Sequence, residues 1–212
     1  MSINQTMRHL GEERSVIREI FEYGNARKKE IGEENVFDFS LGNPSVPAPP
    51  EVNAEITRLI ADMPPVKLHG YTSAAGAPEV RAAVAAYLPA QFGAPVSASR
   101  VYMTCGAAAS LTISLAAMSE AGDEFVVVAP CFPEYRVFIE RAGGKVVEAQ
   151  AATDFHLDLA ALARAVGSRT KAVILNSPNN PTGAVYGREE LAALAALLAE
   201  KSAERGAPVY LI

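Results

Sequence analysis

Phe125-Val126-Val127-Val128-Ala129, followed at once by Pro130-Cys131-Phe132-Pro133-Glu134-Tyr135, is the stretch on which the fold turns. A continuous apolar run of this kind is what a strand buried on both faces requires, and such strands belong to parallel sheets covered by helices. Gly122-Asp123 marks the turn before it. Working outward toward the C-terminus, 133–142 reads as a helix stopped by Gly143-Gly144. Lys145–Ala149 then reads as a strand, 158–165 as a helix and Ala172–Leu175 as a second buried strand. Residues 188–204 form a long Ala/Leu-rich helix, and Val209-Tyr210-Leu211-Ile212 is strand-like again.

Toward the N-terminus, Val101-Tyr102-Met103-Thr104 is a strand candidate ended by Gly106, and an apolar helix follows over 107–119. An Ala-rich helix is expected over 78–92, with Pro78 in its first turn. Residues 66–76 read as a loop, and a helix is expected from Glu51 to Ala61, before Pro64-Pro65. Pro47, Pro49 and Pro50 forbid regular structure ahead of it. Val36–Leu41 alternates like a strand or extended arm, and 7–31 reads as one helix with Ile17, Ile20 and Phe21 at helical spacing. Strands therefore alternate with helices from about residue 100 onward, the pattern of a mostly parallel sheet in an α/β fold.

The bulk properties exclude several classes. The chain has 212 residues, half of them apolar and a fifth charged, an ordinary globular balance. A net charge of -5 offers no basic patch for nucleic acid and no polybasic membrane signal. No apolar run approaches the roughly 20 residues that span a bilayer. The N-terminus is polar and charged, unlike a secretory signal. Cys105 and Cys131 make neither a disulfide framework nor a metal set, and both read as small buried fillers in a reducing, cytoplasmic setting. His9, His69 and His156 read as surface or satisfied groups.

Five motifs could carry chemistry. Thr104–Ser110 places Gly106, Ala107 and Ala108 between a strand and a helix, where free N–H groups and a partial positive charge suit a phosphate. Phe132, at a strand's carboxyl end, can stack on a planar ring. Asn176-Ser177-Pro178-Asn179-Asn180-Pro181-Thr182-Gly183 follows a buried strand. Its prolines fix the backbone, while Asn176, Asn179 and Asn180 can bond an anionic oxygen. Tyr71-Thr72-Ser73-Ala74-Ala75-Gly76, leading to a helix that carries Arg81, and Ser40-Leu41-Gly42-Asn43-Pro44 complete the set. Taken singly, all but the Asn/Pro loop read first as packing turns, core or ordinary loops.

In order and spacing the five resemble fold-type-I pyridoxal 5'-phosphate (PLP) enzymes, specifically the class I/II, aspartate-aminotransferase-like aminotransferases. The resemblance runs from about residue 15 to 212, and Asn180–Gly183 and Tyr71–Gly76 are its most diagnostic parts. It implies a three-layer α/β/α large domain with a seven-stranded, mostly parallel sheet. Residues 1–50 would be an N-terminal helical arm and small-domain segment, and 51–212 an incomplete PLP-binding large domain. It also implies roles. Gly42 lies where backbone contacts the substrate carboxylate, and Tyr71 matches the tyrosine that bonds the cofactor phosphate in the partner subunit. Gly106, Ala107 and Ala108 match the phosphate turn, Phe132 the aromatic stacked on the pyridine ring, and Asn180, with Asn176 beside it, the asparagine on the ring's phenolic oxygen. Asn180 is expected to touch substrate as well.

What the resemblance leaves out matters equally. The aspartate on the pyridine nitrogen, the Schiff-base lysine and the carboxylate-binding arginine would all follow Ile212. Lys28, Lys29, Lys67, Lys145, Lys171 and Lys201 read as solvated surface charge. The expectation is therefore the N-terminal half of a homodimeric aminotransferase, acting between an amino acid and a 2-oxo acid, truncated before its catalytic lysine. A carbon–sulfur lyase, an amino-acid decarboxylase or a non-catalytic aminotransferase-derived domain stays open as an alternative.

Overall fold

The computed structural model describes residues 3, 5–12, 16–40, 42 and 46–212. Leu41, Asn43 and Pro44 of the fifth motif, and the side chain of Ile17, lie outside the described residues. The chain divides into two compact units, Met1–Tyr71 and Thr72–Ile212.

The second unit is built around a four-stranded sheet of β1 (Glu124–Ala129), β2 (Lys145–Gln150), β3 (Thr170–Ile174) and β4 (Tyr210–Leu211), in the spatial order β2-β1-β3-β4. Every ladder is parallel. The apolar run that forms β1 is buried on both sides because its side chains alternate between two cores. Val126 and Val128 pack with Leu162, Val166, Leu194, Leu198 and Val209. Phe125 and Val127 pack with Leu115, Tyr135, Ile139, Ala172 and Ile174.

Helices supply both covers. Beneath the first core lie α8 (Leu159–Ala165) and α9 (Arg188–Arg205). Over the second lie α6 (Ala107–Met118) and α7 (Glu134–Arg141). The three-layer α/β/α arrangement expected from the sequence is thus present. From β1 the chain crosses to β2 through α7 on one face, then to β3 and β4 through α8 and α9 on the other. One hand of crossover produces this switch of faces. The switch point falls between β1 and β3, where open parallel sheets place their ligands outside the strands' carboxyl ends.

Ahead of the sheet, α5 (Pro78–Phe92) occupies the expected span. Residues 101–104, expected as a strand, are extended but pair with no other strand among the described residues. Tyr102 there is exposed. A ladder needs a neighbour, and apolar alternation alone does not create one.

In the first unit, the stretch expected as one helix over 7–31 is helical at α1 (Gln5–Glu12) and α2 (Val16–Ile31), with 13–15 outside the described residues. The expected strand 36–41 forms no ladder over its described residues. Lys28 instead pairs with Asp38 at 3.0 Å. Hydrogen bonds from Ser40, then the Lys28 ammonium, push the Asp38 carboxyl down to about 2. Beyond α3 (Pro50–Asp62), the expected loop 66–76 opens with a short helix, α4 (Pro65–His69), begun by the prolines that were read only as breakers. Pro at the first helical position loses no bond, which is why these prolines start helices as well as end them.

Glu190, in the first turn of α9, ties that helix to the β2–α8 loop. One carboxylate oxygen accepts the Leu157 N–H at 2.6 Å, and the other faces His156 Nδ1 at 3.1 Å and the Gly187 N–H at 3.2 Å. Burial works to raise the Glu190 carboxyl, but the Leu157 N–H, His156 and the Gly187 N–H together hold it below the ordinary value. The hydrogen bond to Glu190 raises His156. A raised histidine stabilises fully below its ordinary value of 6.5, and that gain fades as pH rises through the higher folded value. The lowered carboxyl stabilises above its ordinary 4.5, and that gain fades as pH falls through the lower folded value. Thermal melting of the protein and of His156→Gln should therefore differ most near pH 5.5 and converge by about pH 8.5. A gap independent of pH would show that the imidazole is not held by this charge.

Candidate functional site

Three chain segments bearing predicted site residues belong to the second unit. Two leave the carboxyl ends of adjacent strands: 130–133 after β1, and 175–187 after β3. One direct bond locks them together. The Asn179 amide donates to the Pro130 carbonyl at 3.0 Å and to Thr182 Oγ1 at 2.9 Å. Asn179 is 92% buried, its relative exposure being 8%, and both its amide hydrogens are used. It therefore braces the loop and is not free to bind an anion, as the sequence had suggested it could.

The rest of the Asn/Pro loop is held from within. Asn179 N–H donates to the Ala184 carbonyl and Gly183 N–H to the Asn179 carbonyl, at 2.8 and 2.7 Å. Asn176 Oδ1 accepts the Asn180 N–H at 2.9 Å, and Ser177 Oγ accepts the Tyr186 N–H at 3.1 Å. Asn176 is thus a brace that orients Asn180. The Asn180 side chain is exposed and has no partner among the described residues, so its amide is available to a ligand.

Phe132 is half-buried against the core of Phe125 and Ile174. Its ring meets Tyr135 edge-on, with centroids 5.6 Å apart and planes at 80°. One edge is fixed by the core while part of the ring stays open. Beside it Cys131 is also half-buried, and burial pushes its thiol up. Cys105, expected as a buried filler, is exposed because it sits in the turn before Gly106.

The third segment is the turn into α6. Gly106 has φ 84° and ψ 173°, a conformation essentially reserved for glycine. Its N–H donates back to the Thr104 carbonyl, and its own carbonyl accepts the Ser110 N–H. No side chain caps this helix end. The N–H groups of Ala107 and Ala108 are left without partners among the described residues, and both alanines are exposed. Five residues separate the end of α6 from the start of β1. The helix, about 18 Å long, runs back beside a strand of about 20 Å. Leu111 and Met118 both pack on the core that Phe132 also contacts. The open N-terminus of α6 is therefore carried toward the same carboxyl edge.

The pieces fit a flat aromatic ligand with an anionic tail: orphan N–H donors at a helix N-terminus, a partly open aromatic ring, and a free amide. The lysines of this unit lie elsewhere. Lys145 opens β2, Lys171 near the start of β3 pairs with Asp123 at 3.1 Å, and Lys201 near the end of α9 pairs with Glu204 at 2.9 Å. All three belong to the opposite edge, and two are ion-paired, not simply solvated. Gly42 and Tyr71 belong to the first unit, where both are exposed.

Residues 34–203 match the family model described as aminotransferase class I and II. The chain is 36% identical over 168 residues to an aspartate aminotransferase of Streptomyces avermitilis, covering 78% of this chain and 40% of that protein. It is 35% identical over 180 residues to an aspartate/prephenate aminotransferase of Thermus thermophilus, covering 83% and 46%. Among solved structures, an amino transferase from Eubacterium rectale superposes with a TM-score of 0.96 at 50% identity, covering all of this chain and 54% of that one. Aspartate aminotransferase from Thermus thermophilus with maleate gives 0.79 at 30% identity, again over all of this chain and 53% of that one. The chain thus spans about half the length of the relatives it matches.

Replacing Asn179 by leucine should cost about 1–3 kcal/mol, because it removes the two hydrogen bonds that this buried amide makes to the Pro130 carbonyl and Thr182 Oγ1, each worth about 0.5–1.5 kcal/mol net. Urea unfolding measures the loss. Hydrogen exchange should show the 176–187 amides opening more readily, with β1 unaffected.

Proposed function

The chain belongs to the class I and II aminotransferases, and from that premise we propose that the protein carrying it is a PLP-dependent enzyme that moves an amino group between an amino acid and a 2-oxo acid. The single observation that supports this best is the Asn179–Pro130 bond, which brings the loop of Phe132 and the loop of Asn180 together at the carboxyl ends of β1 and β3, the edge toward which the uncapped N-terminus of α6 runs. PLP, when bound, supplies an electron sink for the carbanion developing at the substrate's α-carbon.

The chain's own residues would do the rest. The N–H groups of Ala107 and Ala108, with the positive end of α6, hold the phosphate, while Gly106 keeps the approach clear of a side chain. Phe132 would stack on the pyridine face and fix the orientation of the ring. Asn180 donates from its amide to the phenolic oxygen, and Asn176 fixes the backbone from which it does so. Gly42 offers backbone to the substrate carboxylate, and Asn180 lies on the same substrate side. In the reading carried over from the resemblance, Tyr71 reaches the phosphate of a partner subunit, which makes the working protein a homodimer. Under the same reading residues 1–50 are arm and small-domain segment, 51–212 belong to the large domain, and the enzyme works in the cytoplasm.

Several relatives are named aspartate aminotransferases, and the Thermus structure holds maleate, a dicarboxylate. Aspartate is therefore the first donor to test, against a panel of 2-oxo acids.

The complete gene product should bind PLP and transaminate. Phe132→Ala should weaken PLP binding about ten-fold, the loss of a stacking partner plus its buried area, and Asn180→Ala should lower kcat more than it changes phosphate affinity. No PLP binding and no turnover with any donor would reject the reading. The 212-residue chain by itself should show no borohydride-sensitive imine absorbance at 400–430 nm at this site, since its second-unit lysines lie at the far edge of the sheet. Appearance of that band would place the covalent chemistry on a lysine described above.

A further inference from the structure

Residues 98–106 deliver the open turn of α6 to the strand edge, yet no sheet ladder holds them among the described residues. They are gripped instead by the chain just before them. Arg81, one turn into α5, donates from Nε to the Val101 carbonyl at 2.8 Å and from Nη2 to the Ala98 carbonyl at 2.7 Å. Met103 N–H donates to the Ala75 carbonyl at 3.0 Å. Gly76, at φ 96°, lies so close that a Cβ there would stand 2.5 Å from Met103 Cγ. Thr104 Oγ1 then bonds Ser110 Oγ at 2.5 Å, carrying the restraint into the first turn of α6.

The guanidinium is half-buried and has no carboxylate partner among the described residues. A cation so placed is directed wholly at two backbone carbonyls. Its planar fork fits two acceptors at once, and a charged donor strengthens each bond. Ala98 opens the single 3-10 turn Ala98–Arg100 and Val101 begins the extended run after it, so both ends of this bend are fixed from one side chain.

We propose that Arg81 is a positioning residue for the anion-binding turn at 104–108, setting where the Ala107 and Ala108 N–H groups stand without touching the ligand itself. This deepens the reading of that turn as the PLP phosphate anchor and rests on it. A displacement of an ångström at such donors is costly because the anion is recognised by several directed bonds at once. The effect of losing Arg81 therefore falls on the phosphate and not on the ring.

The test compares PLP with pyridoxal, which lacks the phosphate, by calorimetric titration of the complete gene product and of its Arg81→Gln and Arg81→Lys variants. The unaltered protein should prefer PLP over pyridoxal. Arg81→Gln should cut that preference about ten-fold while leaving pyridoxal affinity in place. Lysine, able to keep one of the two bonds, should recover part of it. Equal loss for both ligands, or an unchanged ratio, overturns the positioning role. Should the glutamine variant fail to fold, the lysine variant decides by the same ratio. An unaltered protein with no preference for PLP overturns the phosphate site itself, and that result precedes any variant.

Discussion

Burial of β1 on both faces is the constraint from which the second unit follows. Phe125 and Val127 point into one core and Val126 and Val128 into the other, all at most 5% exposed. Each such side chain contributes about 1.5–3 kcal/mol when removed from water. A strand with no polar face needs helices above and below it, and it needs a paired neighbour on each edge. β2 and β3 meet the second need, and α6 to α9 the first. Once β1 is central, the chain must cross the sheet in both directions from it. The carboxyl ends of β1 and β3 then become the place where connecting loops diverge.

The site inherits its rigidity from that divergence. Loop 130–133 and loop 175–187 leave neighbouring strands, and Asn179 bridges them with a buried amide. Two consecutive asparagines thereby take opposite duties. Asn179 turns inward and uses both its donors on the protein, while Asn180 turns outward with its amide free. The same division occurs at the other segment: Thr104 and Ser110 bond each other, so that Ala107 and Ala108 can keep their N–H groups unspent. Binding groups held by neighbours that are themselves fully bonded keep their geometry without the ligand's help.

Much of this was legible in the residues. The continuous apolar runs at 125–129 and 172–175 and the glycine stops at 106 and 143–144 placed the strands and helices of the second unit within a residue or two. Proline and glycine act locally, so their signals survive folding. The misses share a physical cause. Val101–Thr104 looks like a strand, but pairing depends on a distant segment. Lys28 and Lys171 looked solvated, but their ion pairs with Asp38 and Asp123 form only once residues distant in sequence meet. Cys105 looked like core because small residues surround it, whereas the turn lifts it into solvent.

Local chemistry in the chain was thus enough to specify the α/β class, the sheet's parallel character, and the family whose loops bear the Asn180–Gly183 and Thr104–Ser110 motifs. Tertiary structure alone decided the strand order, and with it which two loops share an edge. It also separated Asn179 from Asn180, and turned Arg81 from an anonymous helix cation into a clamp on Ala98 and Val101. Periodicity and turn residues act over a few bonds, but a buried amide or guanidinium is defined by acceptors 17 to 49 residues away, and no local pattern records where those will stand.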